Sequence, residues 1–401
     1  MPHRTPSLRS RALGFSLVEI MVAAVIGLIG SVVIFQVFAV SESQKRTTTG
    51  GGDAQQAGLL ALYSIERDAR MAGYGINYAP LLGRQVLASD DGPPARDPIL
   101  PANSEFKMVA IEITDGVGGA PDGLRFVYGN SDLSVAPVRL NSASASASTV
   151  HKVAIRFGFL PGDLVLACDT STASKCSIQQ VTDVPDTPAE EVHHVSAATY
   201  TPPSGGSATA RYNKAGGNGV DYPGWSNTNQ SGGVVYNLGQ APGVIDYSIA
   251  TTTGQLMHRN LLTTSTASAI MDGIVQLQAQ YGRDTSGTAD GTVDVWDTTQ
   301  PADFDGWSRV LALRIAIVAR SSQFDKTYCS PNPQWTQGNG TATNFLMTNI
   351  DGSADSYTGA AACTPNALPV LNANPNNWRN YRFRVFETAI PVRNAIWYPI
   401  T

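Results

Sequence analysis

The stretch GFSLVEIMVAAVIGLIGSVVIFQVFAV, residues 14–40, decides the fold of this chain of 401 residues. Between Phe15 and Val40 it contains one charged residue, Glu19, and one side-chain amide, Gln36. At 1.5 Å per residue, a helix over residues 15–40 is about 39 Å long, which exceeds the ~30 Å hydrocarbon core of a bilayer. The sequence therefore predicts one membrane-spanning helix near the N-terminus.

The residues before this helix are basic and contain no acid. Arg4, Arg9 and Arg11 precede the apolar run, and such a flank stays in the cytoplasm. An ordinary secretory signal has an apolar region of only ~7–15 residues and then a small-residue cleavage site. We therefore expect an inner-membrane protein with a single pass, whose C-terminal head lies in the periplasm.

Glu19 is the informative residue within the apolar run. An ionisable group in a membrane span costs at least a few kcal/mol, so it usually has a function and a partner. A plain signal anchor would explain the length of the run but not this carboxylate. The residues Gly14-Phe15-Ser16-Leu17-Val18-Glu19 resemble the prepilin cleavage and methylation motif.

That resemblance implies a processing pathway and a role for each residue. A dedicated prepilin peptidase would cut after Gly14 and methylate the new N-terminal residue, Phe15. Glu19 would become the fifth residue of the mature chain, one helical turn from the new amine. It would then pair with its own amine or with that of a neighbouring subunit during assembly, and it also complements the helix dipole.

The helix is predicted to continue beyond the membrane. Small residues repeat every four positions at Ala23, Gly27 and Ser31, a spacing that lets membrane helices approach closely. Gly50–Gly52 are predicted to interrupt or kink the helix. A second stretch then runs to about residue 72, with an apolar face predicted at Leu59, Leu62, Tyr63, Ile65 and Ala69.

Beyond residue 74 the pattern is typical of β-structure. Predicted strands cover residues 106–114, 124–128, 150–157, 163–168, 178–184, 234–238, 245–250, 255–260, 274–281, 310–319 and 381–390. Short turn-rich gaps such as Thr251–Gly254 favour hairpins and an antiparallel sheet.

The predicted fold class is α+β and pilin-like, with a long N-terminal helix (transmembrane half, then amphipathic half) packed on the sheet and a large β-rich head. The predicted domains are a leader (1–14), a transmembrane helix (15–40), its continuation (41–73) and a globular head (74–401).

Three further stretches narrow the resemblance. YSIERDARMAGYG (63–75), LRIAIVARSSQ (313–323) and YRFRVFETAIPVRNAIW (381–397) resemble the PilW family of type IV pilus assembly proteins. The resemblance implies a minor pilin that helps to initiate the fibre in a complex with other minor pilins at the fibre tip. Its implied partners are the prepilin peptidase, other minor pilins and the major pilin, the inner-membrane assembly machinery, and membrane lipid before assembly.

Two alternatives remain open at this point. The J-type pseudopilins of type II secretion share the same plan. A membrane-tethered adhesin with a glycan-binding or surface-binding head would also fit, with loop tryptophans such as Trp225, Trp307, Trp335, Trp378 and Trp397 lining its surface. The chain has no proline between Phe15 and Pro80, whereas major pilins often carry one in this helix, and this counts against a major subunit.

The sequence contains no recognisable catalytic constellation, so we predict a structural protein and not an enzyme. It has no G-x-S-x-G, P-loop, H-E-x-x-H or dinucleotide-binding motif. The net charge of −5 argues against a nucleic-acid partner, which would require a basic stripe. The adjacent His193 and His194 are predicted to point to opposite faces of a strand and to remain at least partly exposed.

An acidic loop and four cysteines complete the candidate sites. Asp284, Asp290 and Asp294 lie in YGRDTSGTADGTVDVWD, where Ca²⁺ would find hard oxygen ligands, although a solvated acidic turn is the alternative. No other cofactor is expected.

An even cysteine count in an exported chain suggests disulfides. The predicted pairs are Cys168–Cys176, which closes a hairpin, and Cys329–Cys363, which closes a Pro/Asn/Gly-rich loop.

Overall fold

The structure is a computed structural model. It describes residues 16–76, 81–89, 104–133, 136–171, 176–188, 190–325, 328–354 and 376–396. Two compact units divide the chain, one over residues 1–52 and the other over residues 53–401. The first unit is helical wherever it is described from Leu17 onward, and the second is the β-rich head.

The described helices are α1 (Leu17–Met71), α2 (Phe304–Ser308) and α3 (Arg393–Ile396). Gly50–Gly52 lie inside α1, so they do not interrupt the helix, and that part of the prediction was wrong. A kink at these glycines stays a prediction. A glycine costs only ~1 kcal/mol relative to alanine, and an established helix propagates at little cost through such residues. The helix ends at Met71, and Gly73 follows with a φ of +84°, a conformation open to glycine.

The strands, in chain order, are β1 (Gln85–Ala88), β2 (Ser104–Lys107), β3 (Ile111–Thr114), β4 (Gly123–Tyr128), β5 (Val138–Arg139), β6 (Val150–Lys152), β7 (Leu164–Asp169), β8 (Cys176–Gln180), β9 (Glu191–His193), β10 (Thr199–Tyr200), β11 (Ala208–Thr209), β12 (Gly233–Gly239), β13 (Gly243–Ala250), β14 (Gln255–Asn260), β15 (Ser268–Asp272), β16 (Ile274–Arg283), β17 (Val295–Asp297), β18 (Val310–Arg320), β19 (Gln334–Thr336), β20 (Ala342–Asn344) and β21 (Phe383–Pro391).

Two sheets and the second half of α1 enclose the main core. One sheet has the order β17-β16-β18-β21 and the other the order β15-β14-β13-β4-β3, and both are antiparallel. Alternate residues of β18 enter this core at Leu313, Ile315 and Ile317, whereas Ala316 and Val318 are buried in another cluster on its opposite face. The helix and the residue after its end contribute mostly small side chains to this core: Ala54, Ala61, Ile65 and Ala69 from α1, and then Ala72.

The predicted apolar face of the second half of α1 was only partly correct. Ile65 and Ala69 are buried, but Leu59 and Tyr63 are 50% and 65% exposed. The helix packs so closely on the sheets that only small side chains fit along most of the contact line. The larger apolar residues therefore lie on the outward side of α1.

A third sheet has the order β2-β1-β8-β7-β12-β5 and surrounds a second core. Its pairs are antiparallel except for β1 and β8, which run parallel. Three two-stranded ribbons accompany the larger sheets: β6–β9, β10–β11 and β19–β20. The β6–β9 ribbon contributes Val153 and Val192 to a third apolar cluster, on the other face of this six-stranded sheet.

The strongest predicted strands are confirmed, and the irregular ones are not. The β13–β14 hairpin forms around Thr251–Gly254, and β16, β18 and β21 occur where they were predicted. The predicted strand over residues 106–114 is instead two strands, β2 and β3, which belong to different sheets. The predicted strand over residues 150–157 ends at Lys152, after which the chain turns at Arg156. The α+β pilin-like fold class is confirmed.

Candidate functional site

The first turn of α1 is closed by a reciprocal pair of hydrogen bonds between Ser16 and Glu19. The backbone N–H of Ser16 donates to Glu19 Oε2 at 3.4 Å, and the backbone N–H of Glu19 donates to Ser16 Oγ at 3.2 Å. This is a capping box, which satisfies N–H groups that have no partner within the helix. Glu19 is therefore held at the start of α1 and remains exposed to solvent.

Gly14 and Phe15 lie outside the described residues, so cleavage between them stays a prediction. The capping role of Ser16 was missed by sequence reasoning, although its signal was present. Ser-x-x-Glu immediately before an apolar run is the pattern of a capping box, and residues 16–19 read Ser-Leu-Val-Glu.

The span Leu17–Glu42 is long and apolar enough to cross a membrane. None of its most apolar window is buried inside the protein. Its large side chains point outward on every side of the helix, as at Phe35 and Phe38. In water, each such side chain would forgo roughly 1.5–3 kcal/mol of burial. The span therefore requires lipid or other apolar helices around it.

The small residues of this span leave room for a neighbouring helix. A methyl group placed on Gly27 or Gly30 would meet no atom within 4 Å. The hydroxyl of Ser31 donates to the carbonyl of Gly27 at 2.9 Å, so its polarity is satisfied within the helix. Another helix can therefore approach this face without meeting an unsatisfied polar group.

The second half of α1 is anchored to the head through the buried carboxylate of Asp68. Tyr247 of β13 donates its hydroxyl proton to Asp68 Oδ2 at 2.7 Å, and Arg67 donates to Oδ1 at 3.0 Å. Nε2 of His258 in β14 lies 4.0 Å from the same carboxylate. Burial raises the pKa of Tyr247 and lowers the pKa of His258. Sequence spacing could have located Asp68, because it lies one turn after Ser64 and next to Ala69 on the inner face.

The Cys168–Cys176 disulfide is confirmed. The two cysteines lie in the paired strands β7 and β8, with their Cα atoms 4.4 Å apart, and both are fully buried. Cys329 is also disulfide-bonded. Its predicted partner, Cys363, lies outside the described residues, so the second pair stays a prediction.

The acidic loop is organised by its own backbone. Asp284 accepts hydrogen bonds from the backbone N–H groups of Ser286, Asp290 and Gly291, and these bonds lower the pKa of its carboxyl. Asp294 accepts from the N–H of Thr285 and from the hydroxyl of Ser286. Within the described part of the chain, no three His, Cys, Asp or Glu side chains form a metal-binding group. The calcium site stays an untested hypothesis.

The tryptophans mostly belong to core edges and not to a binding surface. Trp307, Trp335 and Trp378 are buried, and Trp225 is half-buried against the guanidinium of Arg139 at 4.4 Å. Trp397 lies outside the described residues.

The adjacent histidines His193 and His194 face opposite ways, as predicted, and His193 is half-buried. However, His194 is fully enclosed, so the prediction that it stays partly exposed was wrong.

Comparison with known families agrees with this geometry. Residues 9–35 match the prokaryotic N-terminal methylation motif. Residues 244–394 match the family model of the type IV pilus-assembly protein W, PilW. This match includes LRIAIVARSSQ and most of the C-terminal stretch, while residues 63–75 precede it. No curated protein and no solved structure matches the chain.

An exposed apolar helix that begins at a methylation motif and continues into a β-rich head defines a type IV pilin-like protein, anchored in a membrane before assembly. Within this class, the match over β13 to α3 supports a PilW-like minor pilin of the type IV pilus. Such a protein associates with other pilus components and with the prepilin peptidase. Membership of a pilin family indicates a structural role.

Proposed function

We propose that this minor pilin helps to initiate the type IV pilus, in a complex with other minor pilins at the tip of the fibre. The observation that carries the proposal is the exposed span Leu17–Glu42, which directly follows the methylation motif. Before assembly the span lies in the inner membrane. After assembly the helices of neighbouring pilins replace the lipid around it.

The head is proposed to fold in the periplasm and to leave the cell with the pilus. Arg4, Arg9 and Arg11 favour a cytoplasmic N-terminus, which sends the rest of the chain across the membrane. The Cys168–Cys176 disulfide supports this topology, because such bonds persist in oxidising compartments.

Glu19 is proposed to select the position of the subunit during assembly. Its carboxylate lies at the exposed start of α1, held there by Ser16. Once the peptidase has removed the leader, Phe15 is the N-terminal residue. The Glu19 carboxylate then offers a partner for the N-terminal amine of an adjacent pilin. An unpaired carboxylate among apolar helices is costly, so correct pairing is favoured over other registers.

The size of the head supports a position at the tip. The six-stranded sheet and its ribbons lie mostly before residue 244, outside the segment that matches PilW. This additional structure gives the head a large surface beyond the pilin-like part. At a tip, such a surface caps or bridges neighbouring heads without having to fit a repeating lattice.

Purification from the native membrane tests the proposal. The full-length protein, tagged at its C-terminus and extracted in mild detergent, is expected to co-purify with the minor pilins of the type IV pilus. Immunogold labelling of sheared fibres is expected to place it at fibre ends. Co-purification with type II secretion pseudopilins alone, or labelling along the whole fibre, would contradict the proposal. Glycan-array binding by the full-length protein in detergent, together with normal pilus formation in a deletion strain, would favour an adhesin.

A further inference from the structure

Two histidines from different strands stack face to face inside the head. His151 lies in β6, and His194 directly follows β9, the partner of β6 in the β6–β9 ribbon. Their ring centroids are 4.3 Å apart and their planes differ by 30°. The two residues are 0% and 2% exposed. The stack therefore joins the two strands of the ribbon in a place that water does not reach.

His151 has two side-chain polar contacts, whereas Nε2 of His194 has none. Nδ1 of His151 lies 3.1 Å from Ser144 Oγ, and its Nε2 lies 3.4 Å from Gln179 Oε1. Nε2 of His194 is buried and has no hydrogen-bond partner among the described residues. A proton added to that nitrogen would have no acceptor, and the resulting charge would lie against a second imidazole.

The charged groups around the stack do not offset such a charge. Glu191 pairs with Lys152 and with His193, and Asp183 meets the ribbon through its backbone. Tyr222 lies edge-on to His151, and its hydroxyl is hydrogen-bonded to Ser177. Glu190 directly precedes β9, and its buried Oε2 has no hydrogen-bond partner among the described residues. Burial consequently lowers the pKa of His151 to about 4 and that of His194 to about 2.

The ribbon covers an apolar face of the six-stranded sheet. Val153 and Val192 pack there against side chains that include Val165 and Val235. On its other edge, the ribbon is hydrogen-bonded to the chain after β8, where Thr182 and Asp183 each share one backbone bond with His193. The N–H of Val195 also donates to Thr182 Oγ1 at 3.1 Å on this side. Along the opposite edge, Lys152 and Ala154 exchange backbone bonds with Asn141 and Arg139.

We propose that the His151–His194 stack is an acid-sensitive latch, which holds the β6–β9 ribbon over the six-stranded sheet and releases it when the surroundings acidify. In the released state both imidazoles reach water and take up protons from it. In the closed state they cannot do so without leaving a charge buried. Release exposes the apolar face beneath the ribbon, while the core around α1 stays folded.

The size of the effect follows from linkage. A histidine that protonates only in the released state, with an ordinary pKa of ~6.5, raises the release equilibrium about 30-fold between pH 7.5 and pH 5.0. Two such histidines raise it by up to about 1000-fold. The sign is fixed: the latch is at full strength about one unit above pH ~6.5 and weakens as the pH falls through that value.

Hydrogen exchange of the full-length protein in detergent tests the latch. Exchange rates at pH 7.5 and pH 5.0 are corrected for the intrinsic effect of pH on amide exchange. Amides of β6 and β9 are expected to lose clearly more than about 30-fold, and up to about 1000-fold, of their protection at pH 5.0, while those of β16 and β18 change little. His194→Phe keeps an aromatic stack without a titrating nitrogen, so it is expected to reduce the pH dependence to that of His151 alone, about 30-fold. His193→Phe, at the neighbouring half-buried position, is the matched control and is expected to retain it.

The result that would overturn the latch is equal protection of the ribbon at both pH values, or a parallel loss in β16 and β18, which would be global unfolding. If His194→Phe does not fold, His151→Gln replaces it and is expected to reduce the pH dependence to that of one histidine. The same measurement is repeated with zinc and with EDTA. Protection that rises with zinc, or falls with EDTA at pH 7.5, would make the pair a metal site and contradict the proposal.

Discussion

A methyl group placed on Gly58 of α1 would lie 2.0 Å from Cε2 of Phe386 in β21. The aromatic ring therefore rests directly on the helix backbone, and only glycine permits this approach. The contact lies within the core shared by α1 and the four-stranded sheet. It explains why small residues line the inner face of α1 while Leu59 and Tyr63 lie outside.

Gly58→Ala is expected to destabilise the head by about 1–3 kcal/mol, because the added methyl overpacks the contact with Phe386. In an open helix, the same change stabilises by roughly 0.5–1 kcal/mol. Gly52→Ala is the matched control, since a methyl there meets no atom within 4 Å. The midpoint of urea unfolding measures both variants. Opposite signs support the packing described, whereas a stabilising Gly58→Ala would refute it.

Tyr247→Phe is expected to loosen the anchor between α1 and the sheet. The variant loses the hydrogen bond to Asp68 and leaves that buried carboxylate one donor short. We expect a loss of about 1–3 kcal/mol in unfolding free energy. Tyr63→Phe removes a hydroxyl at an exposed position of the same helix and is expected to change nothing. Equal behaviour of the two variants would show that Asp68 does not anchor the helix.

The acidic loop is expected to depend on Asp284 whether or not calcium is present. Asp284→Ala removes the acceptor of three backbone N–H groups, so its melting temperature should fall equally in calcium and in EDTA. The lowered pKa of Asp284 means that its contribution is present above the ordinary carboxyl pKa and lost as the pH falls through the lower, folded-state value. A calcium-dependent rise in the melting temperature that disappears in Asp290→Ala or Asp294→Ala would instead establish the calcium site.

The disulfides are expected to pair as Cys168–Cys176 and Cys329–Cys363. Replacing Cys168 and Cys176 by serine is expected to cost about 2–3 kcal/mol, the loop-closure value for a hairpin of this size. Peptide mapping without reduction reads both pairs directly. A free thiol at Cys329 or Cys363 would contradict the second pair.

The sequence was sufficient where one physical effect dominates. An apolar run of this length with a single carboxylate has few interpretations, and β16 and β18 occur at the positions where strands were predicted. The sequence was insufficient where contacts between distant parts of the chain decide which way a side chain faces. The direction in which Leu59 and Tyr63 face depends on the Gly58–Phe386 contact, and that contact depends on residues far apart in the chain. The His151–His194 stack has no local signal, because neither strand shows in its own sequence which residues it will meet.

The central claim is that this chain is processed as a prepilin and assembled through Glu19. Glu19→Ala makes the span more apolar, so insertion and cleavage are expected to continue, but the partner for the neighbouring amine is lost. Gly14→Val, by crowding the peptide bond that the peptidase cuts, is expected to leave an uncleaved precursor in the membrane.

Mass spectrometry of the N-terminal peptide, in membrane and sheared-fibre fractions, tests this claim most directly. We predict methylated Phe15 as the N-terminus of the unmutated protein in both fractions. The Glu19→Ala protein should show the same methylated Phe15 in the membrane fraction and be absent from fibres. A mature N-terminus at any other residue, or Glu19→Ala protein present in fibres at the normal level, would contradict the account.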